Sequence, residues 1–133
     1  MAIDAGTIRV VEQALGYKLH DWQRAYLIDE PIKIDIRMTG RMQGHTTAYI
    51  LKLLLEDTEA EPINLTNQRA VVDIMDWWSY SDYHRRYSNV GYARIFTDML
   101  IEIKSILKEH NIQSRRIATY KGVTHYVRRT EVW

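Results

Sequence analysis

Residues Thr39-Gly40-Arg41-Met42-Gln43-Gly44-His45-Thr46-Thr47 form the stretch best suited to chemistry. Two glycines let a backbone curl so that successive N–H groups converge on one point. A helix opening directly after such a loop adds unpaired amides and the positive end of its dipole. Together these groups hold an oxyanion, and a phosphate is the usual one. The expected site residues are Gly40, Arg41, Gln43, Gly44, His45, Thr46 and Thr47. The hydroxyl of Thr46 follows the last glycine, where it can ligate Mg²⁺.

The flanking elements supply that context. Ile32, Ile34, Ile36 and Met38 alternate with Lys33, Asp35 and Arg37, which predicts a strand before the loop. Thr46 to about Glu56 is apolar nearly all round and predicts a buried helix after it. Upstream, Ile8, Val11 and Leu15 keep helical spacing, and Gly16 stands at the expected stop. Asp21 is placed to cap a short helix from Trp22 to about Leu27, and Pro31 closes that region. Downstream, Ile63-Asn64-Leu65 predicts a second strand. Asn67 caps a helix striped by Ala70, Val71, Ile74, Met75 and Trp78. Ile95, Phe96, Met99, Leu100, Ile103, Ile106 and Leu107 predict another helix, with Asn111 as a left-handed terminator.

Strand–helix alternation points to a single α/β domain over residues 1–133. The composition agrees, with 46% hydrophobic and 26% charged residues. Eighteen Lys and Arg against 17 Asp and Glu give a net charge of +1, which excludes a generic polycation that coats nucleic acid. Cysteine is absent, which excludes disulfides, thiolate catalysis and cysteine-based zinc sites. No apolar run approaches the roughly 18 residues of a membrane helix. Met1-Ala2-Ile3-Asp4 lacks a charged-then-apolar leader pattern, so a cytoplasmic protein without membrane partners is expected.

The loop resembles the Walker A segment of P-loop NTPases. Its upstream companion, Leu19-His20-Asp21-Trp22-Gln23-Arg24, resembles the start of superfamily-two helicases. The overall look is also similar to small P-loop-like accessory proteins of bacteriophages. The resemblance spans Leu19 to about Leu55. It implies a small three-layer P-loop-like fold with a short, mostly parallel sheet. It further implies that Gln23 contacts adenine, Gly44 approaches the β-phosphate and Thr46 binds Mg²⁺, with ATP as the nucleotide. Two departures stand out: Thr39 replaces the first glycine and His45 replaces the lysine. Histidine is shorter than lysine and mostly neutral at pH 7, so it does not replace the lost charge on the terminal phosphates. No acidic motif ends a later strand, because Val71-Val72-Asp73-Ile74-Met75-Asp76 has helical spacing. The expectation is nucleotide or nucleic-acid phosphate binding with weak hydrolysis at most.

Two further surfaces carry alternative expectations. Tyr80, Tyr83, Arg85, Arg86 and Tyr87 are types that anchor protein interfaces and stack on bases. They suit an inhibitor or adaptor of a host enzyme or defence complex, as in anti-CRISPR proteins. In the basic tail, Lys121-Gly122 fits a two-residue hairpin loop that would set Arg115 opposite Arg128. The alternative makes Ile117 to Tyr120 a third parallel strand with the remainder as an edge. Opposed like charges are destabilising and more easily tolerated with an anion between them, so Arg115, Arg116, Arg128 and Arg129 suit nucleic-acid phosphate or an acidic partner.

Overall fold

The computed structural model describes residues 3–31, 45–78, 90–124 and 127–133. The described elements run α1 (Ala5–Leu15), α2 (Asp21–Leu27), α3 (His45–Leu55), β1 (Ile63–Asn64), α4 (Gln68–Trp78), α5 (Val90–Glu109), β2 (Ile117–Thr124) and β3 (Val127–Val132). The architecture is broadly α/β. Two compact units are distinguishable. One comprises residues 1–58 and 100–114, the other 59–99 and 115–133. Among the described residues, no helix is long and apolar enough to cross a membrane.

The described elements of the first unit are helices, and they begin and end for local reasons. Asp4 caps α1 by accepting from the Thr7 N–H at 2.7 Å and the Thr7 hydroxyl at 3.0 Å. The backbone bond dominates in holding the Asp4 carboxyl below its ordinary range. Gly16 ends α1 at φ 84°, and Asn111 turns the chain after α5 at φ 57°, both as expected. Helix α2 starts one residue earlier than its predicted capping, because His20 is the N-cap and Asp21 already belongs to the helix. Helix α3 is buried as its sequence implies: Ala48, Tyr49, Ile50, Leu51, Leu54 and Leu55 are all inside. It packs against α2. Lys52 ties the two helices, donating to the Tyr26 carbonyl and to Asp29, its ammonium 4.5 Å from the Tyr26 ring centroid.

The second unit holds the sheet, ordered β1-β2-β3. Strands β1 and β2 are parallel, with Ile63 beside Ile117. Strands β2 and β3 are antiparallel, from Ala118 beside Val132 to Thr124 beside Val127. The described sheet is therefore mixed rather than mostly parallel. Asn67 caps α4 as expected, its Oδ1 accepting from the Arg69 N–H at 2.9 Å. Val71, Ala93, Phe96 and Ile117 are buried, whereas Ile95, read as part of the apolar stripe, is exposed.

The predicted loop at Lys121-Gly122 is overturned. Strand β2 runs through both residues, and the register shifts between Tyr120 and Gly122. Glycine inside a strand serves a bulge as readily as a turn, and here it serves the bulge. Arg128 consequently lies beside Val123 and Arg129 beside Gly122. Arg115 precedes β2, and its Nε donates to the Glu61 carbonyl at 2.6 Å. The opposed Arg115–Arg128 pair does not form, so the anion argued from it loses its basis. Ile117 and Ala118 pair in parallel with β1, as the alternative has it, but the same strand continues to Thr124 and pairs antiparallel with β3.

Candidate functional site

Of the phosphate-loop residues, His45, Thr46 and Thr47 are described. They are the first three residues of α3. Gly40, Arg41, Gln43 and Gly44 lie outside the described residues, as does the strand predicted before them. Helix α3 opens at His45, directly after Gly44 and one residue before the start at Thr46 that the sequence predicts. Its first turn contains no acidic residue, and Lys52 stands in its last turn. The lack of an acid leaves the positive N-terminal end of the dipole uncompensated from within the helix, whereas Lys52 complements its negative end. Thr46 and Thr47 are half-buried. Among the described residues, no group of three or more His, Cys, Asp or Glu is arranged to hold a metal.

Gln23 occupies a structural position. It is only 3% exposed, and its Oε1 accepts from the His20 N–H at 2.8 Å, closing the first turn of α2. The oxygen that would read an adenine edge is engaged within the helix cap. The signal was present in the sequence, since Gln23 stands three residues after His20, the spacing of a capping box.

Tyr80, Tyr83, Arg85, Arg86 and Tyr87 lie outside the described residues. Arg116 is exposed and Arg115 half-buried against Glu61. Arg128 and Arg129 fall on β3. Helix α3 belongs to the first unit and the tail arginines to the second.

Two features escaped the sequence reading. In the second unit, a groove of about 280 Å³ lies beside the end of β1, lined by Thr66, Gln68, Arg94, Asp98 and Tyr120 among others. Open α/β sheets gather ligands outside the carboxyl ends of their strands. Here the charges of Arg94 and Asp98 offset each other. In the first unit, Lys104 is only 6% exposed and donates to Ser114 Oγ at 2.7 Å and to the Ser114 carbonyl at 3.4 Å. Its place between Leu100 and Leu107 on the apolar stripe was the available signal. Burial, and secondarily Lys108, pull its ammonium below the ordinary lysine range. The native state therefore releases this proton at lower pH than the unfolded chain. Between those two pH values the unfolded chain binds more protons, so stability rises with pH. Lys104→Met is expected to flatten that alkaline rise in denaturant titrations. An unchanged slope would assign the proton elsewhere.

The chain matches no protein-family model, no curated protein and no solved structure.

Proposed function

We propose that the chain binds the phosphate of a nucleotide, or of a nucleic acid, at the N-terminal end of α3. The setting is a small P-loop-like three-layer fold with no efficient hydrolysis. The role is that of an accessory protein, such as bacteriophages encode. One observation carries this reading: α3 opens at His45, directly behind the glycine-bearing segment, with threonines and no acid in its first turn. The amides and dipole at such a helix start favour an oxyanion, and glycine, the residue type at 40 and 44, allows a backbone to approach one closely. The parallel pairing of β1 and β2, separated by α4 and α5, suits such a fold.

The capping role of Gln23 favours recognition of phosphate over recognition of base. ATP and GTP are therefore expected to bind with similar affinity. Hydrolysis is expected to be slow, because the ammonium that usually stabilises the transferring phosphoryl group is missing.

Calorimetric titration with ATP and Mg²⁺ tests the proposal. Binding heat is expected from the unaltered chain. Gly44→Asp is expected to abolish it by setting a carboxylate where the phosphate would lie. Absence of heat at millimolar ATP, or equal heat from the Asp variant, would sink the reading.

A further inference from the structure

Strand β3 has β2 on one side and, among the described residues, no strand on the other. That edge, open among the described residues, has a definite hydrogen-bonding phase. Ile117 and Trp133 exchange both backbone bonds, at 2.8 and 2.9 Å. In an antiparallel ladder such pairs alternate with pairs whose N–H and C=O groups point away. Glu131, beside Thr119, therefore turns its backbone toward β2. Thr130 and Val132 turn theirs outward. The extra residue of the bulge lies on β2, so the alternation continues along β3 to Arg128. Thr130 is exposed, and Val132 is 54% exposed.

We propose that two copies of the chain associate through this edge, β3 against β3, about a two-fold axis at Thr130. The charge order selects both the occupant and the register. Residues directly opposite in a sheet share a face, so a two-fold antiparallel pairing must centre on a residue set against its own copy. Centring on Arg128, Arg129 or Glu131 sets like charges directly opposite, which is destabilising. Centring on Val127 or Val132 lets less of the strand overlap. Centring on Thr130 places Arg129 opposite Glu131 of the second copy, and symmetry repeats the pair. It also sets Thr130 against Thr130, a favourable cross-strand pair. The outward backbone groups of Thr130 then exchange two hydrogen bonds across the axis. Val132 falls opposite Arg128 of the second copy. The sequence Arg129-Thr130-Glu131 is thus self-complementary when antiparallel, and its central residue carries the outward-facing backbone.

An interface of one strand is small, so the dimer is weak and concentration-dependent. It also loosens as salt screens the two ion pairs. Sedimentation of the full chain over a range of concentrations, at low and high salt, tests this. A monomer–dimer equilibrium is expected. Arg129→Glu and Glu131→Arg each create two opposed like-charge pairs and are expected to weaken the dimer about tenfold. The double variant reverses both charges and is expected to restore it. Unchanged thermal melting of all variants confirms that each remains folded. A chain that stays monomeric at every concentration overturns the proposal. So does a dimer that ignores the single changes or is not recovered by the double change.

Discussion

Replacing His45 by lysine is expected to tighten ATP binding by about 10- to 100-fold, the worth of one charged hydrogen bond converted to affinity. Helix amides offer an oxyanion partial positive charge, but they do not extend to the outer phosphates. A lysine at the first residue of the helix adds a full charge on a four-carbon stem. Histidine, shorter and mostly neutral at pH 7, does not. The gain should therefore depend on phosphate number, being largest for ATP, smaller for AMP and absent for adenosine. Calorimetry with the three ligands reads this gradient directly. His45→Gln serves as the control, because it removes the imidazole without adding charge. Equal affinity of the Lys variant and the unaltered chain for ATP would mean that no phosphate sits within reach of this residue. The proposed site would fall with it.

The parts of the fold legible in the sequence are those fixed by local chemistry. Gly16 and Asn111 adopt left-handed conformations because a helix stop demands them there. Asn67 caps α4 because its side chain satisfies an amide that the helix leaves open. The apolar surface of α3 announces its burial. Where local chemistry permits two outcomes, tertiary context decides. Gly122 suits a tight turn or a bulge, and pairing with β3 selects the bulge. Gln23 suits a base or a helix cap, and its burial places it in the cap. Lys104 interrupts an apolar stripe, but only the fold brings Ser114 to meet it. For the candidate site, the start of α3 was legible to within a residue, because glycine punctuation and apolar periodicity coincide there.

Leu54→Ala is expected to lower stability by about 2–5 kcal/mol, the range for deleting a large aliphatic side chain from a packed interior. Leu54 is 0% exposed, in the last two turns of α3, far along the helix from His45. Its loss removes apolar burial and leaves a space that neighbouring groups only partly fill. The midpoint of denaturant unfolding measures the change. The same variant also separates two kinds of damage. A ligand that binds only the folded chain stabilises it according to its concentration and affinity. If the phosphate site lies at the opposite end of α3, Leu54→Ala should begin less stable yet gain the same increment from ATP as the unaltered chain. Gly44→Asp, whatever its starting stability, should gain nothing. A smaller ATP increment in Leu54→Ala would mean that binding depends on packing along the whole helix. The site would then reside in the assembled unit rather than in the first turn of α3.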